Sequence, residues 1–432
     1  MASPRGRNSS VELLRIAAIV MVVLTHAVPE AFDCAGKAFD YLSPTSDPQF
    51  LVAGLLSGLG LVGDVLFLVI SAWFLLDSKR VKVSKVASMI MTVLTVSVVW
   101  YLVFIALGYR PDAMTTVKQF FPTIFQNNWF ISYYIVLYLI HPLLNAMIRC
   151  MGKKELGIAA LLLGIMCFGV IWGAGVRLGV LRILVFVAIY FIVAWLKLYG
   201  ARFTSSFKAN AVMLAVSAAL YLALRIAMNY IGLEAGTLQG ELHKWVHINN
   251  PVMLAFGISA FNLANRRNFV SKSINRLGAL SMLVYIIHRN NLFVKYLQGE
   301  YFDYAIGKFG ADALLPAILV LAAIFFAGST LIALVYKATA EKYVIDPLAN
   351  LVGKGIENLV MRAVTRLRAG AGRGNTSFEA EPAIRAIPCG EPAAFTGSDA
   401  TEEGQTDSTP ESKNEQKPVS PSDLHPADTD HD

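Results

Sequence analysis

Three ionisable side chains stand inside apolar runs: Arg15 and His26 in "VELLRIAAIVMVVLTHA", and Asp64 in "GDVLFLVISAWFLL". A charge within a membrane span is costly and marks function by default. Arg15 and His26 are eleven positions apart, so on a helix they share a face to within about 20° and differ by roughly 16 Å in height. An imidazole can take and return a proton near neutral pH. Asp64, one apolar run later, has the chemistry to pair with that imidazole, raise its basicity and hold one tautomer. Ser71 follows Asp64 on the same face, within about 20° and roughly 10 Å away. Two plainer readings stay open at this point. Arg15 could snorkel to headgroups while His26 caps the outer end of its span, and Asp64 could sit in water at the outer interface.

Other polar residues recur where apolar runs begin or end. "NNWFISYYIVLYLIHPLLN" carries Trp129, Tyr133 and His141; Arg177 and Arg182 flank a Gly-rich turn; Arg225 lies inside a run. "WVHINNPVML" brings His247, Asn249 and Asn250, and "LVYIIHRNN" brings His288, Arg289 and Asn290. Each is weak alone, since Trp and Tyr commonly form interfacial belts. Together they point to a polar cavity opening outward, because so many polar groups facing lipid would be prohibitive. No metal-ligand spacing is present, so no metal is expected.

The elements that hold these residues follow from composition. Of 432 residues, 56% are hydrophobic and 16% charged, with a mean hydropathy of +0.55, well beyond an ordinary soluble domain. The expected fold class is an all-α polytopic membrane protein. Ten apolar stretches can cross the bilayer, near 11–28, 54–76, 86–108, 129–148, 156–174, 180–199, 210–231, 248–265, 277–297 and 313–336. The first run has no small-residue cleavage site after it and reads as a retained span. Alternate loops hold 23 Lys/Arg against 9 in the others, which places both termini in the cytoplasm of a plasma-membrane protein. Domain expectations are a transmembrane domain over 1–340, a basic amphipathic juxtamembrane segment over 341–374, and a tail over 375–432. That tail carries 13 Asp/Glu against 3 Lys/Arg, a net −10 that leaves +17 on the 374 residues before it. Rich in Pro, Ser, Thr and Glu, it is expected to be disordered. The four cysteines, Cys34, Cys150, Cys167 and Cys389, show no CxxC spacing and read as isolated thiols. Topology accounts for the basic residues, so no nucleic-acid partner is expected.

Four blocks, in order, resemble the acyltransferase family 3 integral-membrane acyltransferases. "SSVELLRIAAIVMVVLTHA" is similar to the family's Arg, ten residues, His opening, here Arg15 and His26. "VGDVLFLVISAWFLL" is similar to its Gly-x-Asp-x-Phe-Phe…Ser-Gly-Phe block, with Leu68 at the second Phe and Ala72 at the usual Gly. "NWFISYYIVLYLIHPLLNAMI" resembles its Trp-Phe…Tyr-Leu…Pro-Leu-Leu span, and "NNPVMLAFGISAFNLA" with "LSMLVYIIHRN" its late Tyr-x-Ile-His block. The resemblance covers roughly 8–340. It implies transfer of an acyl group, most often acetyl from cytoplasmic acetyl-CoA, to a hydroxyl of a surface polysaccharide or lipid-linked glycan. His26 would then be general base or acyl carrier, with Asp64 orienting it. Arg15 and Ser71 would bind the donor, whose phosphates suit a fixed cation. Trp129, Arg182, Arg225, Asn250 and His288 would contact the acceptor or the oxyanion. The competing function is a secondary transporter or exporter of a glycan-type substrate, which predicts paired broken helices; the sequence holds no such pairing.

Overall fold

Hydrocarbon offers no hydrogen-bond partner, so a chain that crosses it must satisfy its own backbone, and the apolar stretches here do so as helices. The computed structural model describes residues 7–29, 31–34, 37–40, 43–176, 178–236 and 247–371. Arg177, Cys389 and the acidic tail lie outside the described residues. In chain order the helices are α1 (Ser9–Ala27), α2 (Pro48–Ser57), α3 (Leu59–Leu75), α4 (Val83–Ala106), α5 (Ala113–Phe120), α6 (Trp129–Cys150), α7 (Lys153–Gly164), α8 (Arg182–Tyr199), α9 (Ala201–Thr204) and α10 (Phe207–Ala235). Then come α11 (Pro251–Asn265), α12 (Lys272–Gly278), α13 (Ser281–His288), α14 (Asn291–Phe293), α15 (Gly299–Phe309), α16 (Leu314–Tyr336) and α17 (Asp346–Ala371). One short antiparallel hairpin, β1 (Ala31–Cys34) with β2 (Lys37–Asp40), departs from the all-α expectation.

All ten expected stretches are helical, but they are not ten equal spans. Among the described residues, eight helices are long and apolar enough to cross a membrane. A ninth candidate is broken: Lys272–His288 and Asn291–Phe309 meet at a 47° bend. The remaining stretch, α11, has only 15 residues, about 22 Å of helix. Both shortfalls have the same cause. Asn250 caps α11 and so fixes where it starts, while Asn290 caps α14 and forces a restart directly after α13. The last span continues beyond the expected boundary as one helical run, Ala311–Ala363. In it Ile345, Ala349 and Gly353 form a buried stripe, and Gly353 lies against the Ser84 backbone at the start of α4.

The arrangement is organised around α1 and α3. In α3, Val65, Leu66, Leu68, Ile70 and Ala72 are fully buried, whereas α7 and α10 expose Ile158, Leu161, Val212 and Leu220 on their outer faces, as lipid-facing helices do. α1 packs on α3 and touches α11, α12, α13 and α16 as well. Small residues allow the close α1–α3 approach: a Cβ on Gly63 would lie 2.5 Å from the Ala18 carbonyl oxygen. Both ends of α1 are tied down. Asn8 caps it, and Ser9 Oγ donates to Asn275 Oδ1 at 2.7 Å; at the other end Thr25 Oγ1 donates to the Leu56 carbonyl at 3.0 Å and accepts from Gly60 N–H at 2.6 Å.

Cys167 is free and buried. Cys150 is disulfide-bonded, which corrects the reading of four isolated thiols; sequence spacing carries no sign of a pairing that is not local.

Gly63→Val should push α1 off α3 and destabilise the protein by about 1–3 kcal/mol, seen as a lower Tm in detergent. Gly328→Val, at a helix position with open space around it, should leave Tm nearly unchanged.

Candidate active site

α1 delivers His26 in its last turn, and the short α13 delivers His288 in its own. The two imidazoles meet: His26 Nδ1 and His288 Nε2 are 2.8 Å apart, with ring centroids 5.0 Å apart. His288 Nδ1 lies 2.7 Å from the Val284 carbonyl oxygen. The Tyr285 ring packs against both histidines, at 6.3 Å from His26 and 6.1 Å from His288. Gln298 Nε2 donates to the His26 carbonyl at 3.1 Å, and Trp100 Nε1 donates to the Ile287 carbonyl at 3.1 Å. The ends of α1 and α13 are thereby held together.

Asp64 is not the partner of His26, which corrects the expected carboxylate–imidazole pair. It is buried, hydrogen-bonds to neither histidine among the described residues, and leaves its Oδ1 without a hydrogen-bond partner. The physical reason is position: His288 takes the imidazole nitrogen that Asp64 was expected to engage. The cation that faces Asp64 is Arg182, whose guanidinium stacks 4.6 Å over the Trp129 ring. Arg182 and Trp129 each open a helix, α8 and α6, so two helix starts bring this pair towards Asp64.

Asp64 and Ser71 do line one cavity, of about 300 Å³, as their shared helix face requires. Three cations among its lining residues, Arg7, Arg15 and Lys85, lie within electrostatic reach of one another, and Asp64 and Tyr285 form a second such group. Ser71, Tyr134 and Ser281 supply hydroxyls between apolar walls of Phe67, Met89 and Phe130. Tyr285 is therefore the wall shared by the cavity and the histidine pair. Arg15 is held in place: its guanidinium meets Glu12 Oε1 at 2.6 Å, and Arg7 Nε meets the same oxygen at 3.0 Å. Among the described residues, Glu12 Oε2, Asp64 Oδ1 and Ser281 Oγ are all buried without partners. Buried polar atoms are normally satisfied, so this cluster has hydrogen-bonding capacity that the protein itself does not use.

Two expected site residues lie elsewhere. Arg225 is buried in α10 beside the 43–54 segment, next to Asn229, which bonds both the N–H and the carbonyl of Thr45 and so ties that segment to α10. Asn250 is the α11 N-cap, its Oδ1 accepting from Val252 and Met253 N–H. Its burial reflects that cap. Arg7, Glu12, Lys85 and Tyr285 were not singled out from sequence. Arg7 and Lys85 were absorbed into the count of loop cations, and Tyr285 gave a signal only as part of "LVYIIH". Among the described residues no group of three or more His, Cys, Asp or Glu is placed to hold a metal ion.

No curated protein and no solved structure matches the chain. A family model described as an acyltransferase domain matches residues 8–337, more than half of the chain and every residue of the cavity and the histidine pair except Arg7. The chain belongs to the acyltransferase family 3 membrane acyltransferases.

Proposed function

We propose that this acyltransferase moves an acyl group, acetyl first among them, from cytoplasmic acyl-CoA to a hydroxyl of a surface polysaccharide or lipid-linked glycan on the outer side of the plasma membrane. The observation that carries this reading is a cavity lined by a group of three cations and by a carboxylate grouped with a phenol, the phenol ring packed against a histidine pair. A coenzyme A thioester has matching polarity: phosphates at one end, an amide-bearing arm, and a reactive carbonyl at the other. Arg15, Arg7 and Lys85 suit the phosphates. Ser71, Tyr134 and Ser281 suit the amides of the arm. The acceptor's hydroxyl oxygen attacks the thioester carbonyl; the new C–O bond forms and the C–S bond breaks. His26 takes the hydroxyl proton and passes it to the departing thiolate sulfur, so charge and atoms balance. Carriage of the acyl group on His26 itself is the second route, and radiolabel retained on His26 in the absence of acceptor would distinguish it. Arg182 and Trp129, close to Asp64, suit contacts to the oxyanion or the sugar.

His26→Ala should abolish acetyl-CoA-dependent labelling of surface glycan while the protein still inserts at normal abundance; labelling at the wild-type rate would refute the assignment. Neutralising one cation, as in Lys85→Met or Arg15→Met, should raise KM for the donor by about 10- to 100-fold, the worth of one charge-assisted contact. Initial-rate kinetics in membranes would also show a much smaller effect on acceptor KM. For topology, a reporter active only in the cytoplasm should work when fused after Ala371, and one active only outside should work within 43–47.

A further inference from the structure

We infer that His288 is a positioning residue that fixes the tautomer of His26, leaving His26 Nε2 bare and aimed away from the pair as the atom that accepts the substrate proton. The inference rests on the reading of His26 as the base and extends it to a residue placed above only as a possible substrate contact.

The argument is a chain of donors and acceptors. A carbonyl oxygen can only accept, so the 2.7 Å contact between His288 Nδ1 and Val284 O requires Nδ1 to carry hydrogen. A neutral imidazole has one N–H and one lone pair; His288 Nε2 must then be the lone pair. It faces His26 Nδ1 at 2.8 Å, so the hydrogen between them belongs to His26 Nδ1. That leaves His26 Nε2 without hydrogen. The reverse assignment would set two lone pairs or two N–H groups against each other somewhere along the chain. Backbone geometry alone, starting at Val284, thus selects the tautomer that a base requires.

The same chain stabilises what forms next. When His26 Nε2 takes the acceptor's proton, the imidazolium keeps its Nδ1–H bond to the His288 lone pair, and this bond becomes charge-assisted. His288 itself ends α13, where the carbonyl ends of the helix favour positive charge. Packing holds the relay in place: Tyr285 lies across both rings, and the Phe325 ring of α16 is 6.2 Å from that of His288. The role Asp64 was expected to play is thereby filled by an imidazole with a backbone anchor.

Two amides separate the parts of the relay. In His288→Asn the short amide can replace Nδ1 and bond Val284 O, but it cannot reach His26. In His288→Gln the longer amide can place its oxygen where Nε2 was and accept from His26 Nδ1–H. We expect His288→Asn to lose kcat by roughly 10²- to 10⁴-fold, with donor and acceptor KM within about twofold, and His288→Gln to recover at least tenfold of that loss. His288→Asn combined with His26→Ala should be no slower than His26→Ala alone, as for residues acting as a unit. Wild-type kcat in His288→Asn, or a loss confined to acceptor KM, would overturn the relay. If His26→Ala is inactive while His288→Asn is at the wild-type rate, the relay fails alone; if His26→Ala is active, the base assignment fails with it. Solid-state ¹⁵N spectra give a readout independent of turnover: His26 Nε2 should resonate as the bare nitrogen in the wild type and lose that single state in His288→Asn.

Discussion

The 2.8 Å contact between His26 and His288 is the interaction that the rest of the arrangement serves. His288 is buried and His26 half-buried, so their nitrogens are best satisfied by partners in the protein or by a substrate. Meeting that need joins the first apolar helix to the one span that breaks. For α13 to end at His288, the chain must stop helical pairing and restart, and Asn290 supplies the restart by capping the next turn. The bend, the short α13 and the capped α14 follow from placing a ring nitrogen where a continuous helix would have carried it past. Trp100 and Gln298 then fasten both sides of the junction through backbone carbonyls.

The cavity obeys a complementary constraint. Three cations line it, and Glu12 is shared by two of them, Arg7 and Arg15. An excess of positive charge against low-dielectric walls attracts anions and concentrates them. Glu12 tempers this by holding Arg15 in a fixed direction rather than letting it snorkel to headgroups. In the same lining the Asp64 carboxylate has one oxygen unbonded among the described residues. Such an arrangement is poor for stability, since leaving polar atoms unsatisfied costs more than their pairing returns. It makes sense where an incoming ligand completes the bonding.

Much of this was legible in the sequence because helices impose a period. The spacing of Arg15 with His26 and of Asp64 with Ser71 fixed faces and depths: Arg15, Asp64 and Ser71 line one cavity, and His26 packs behind its Tyr285 wall. Membrane composition and the family blocks supplied the rest of the outline. What sequence could not show was pairing across the chain. His26 and His288 are 262 residues apart, and chemistry alone made Asp64 the better guess. Arg225 and Asn250 looked functional because they are polar in apolar surroundings; one lies beside the 43–54 segment and the other caps a helix, and no local pattern separates those places from a catalytic one. Lys85 was hidden for the opposite reason, as one basic residue among many explained by topology. The short α11 was read as a full span because hydropathy sums over a window and does not register a cap; the ninth stretch, the least apolar of the ten, is broken where Asn290 caps the next turn.

The depth difference along α1 has a mechanical consequence. A helix fixed at both ends is a ruler: Ser9 is bound to α12 and Thr25 to the α2–α3 junction, so the roughly 16 Å between Arg15 and His26 does not depend on any loop. The close pass at Gly63 sets the rotation of that ruler about its axis. Rotation matters as much as length, because one residue of slip turns a helix face by about 100° and would carry Arg15 from the cavity and His26 from His288 together. Gly63 therefore keeps Arg15 and His26 in phase on one rod, the cation beside the cavity and the imidazole against His288.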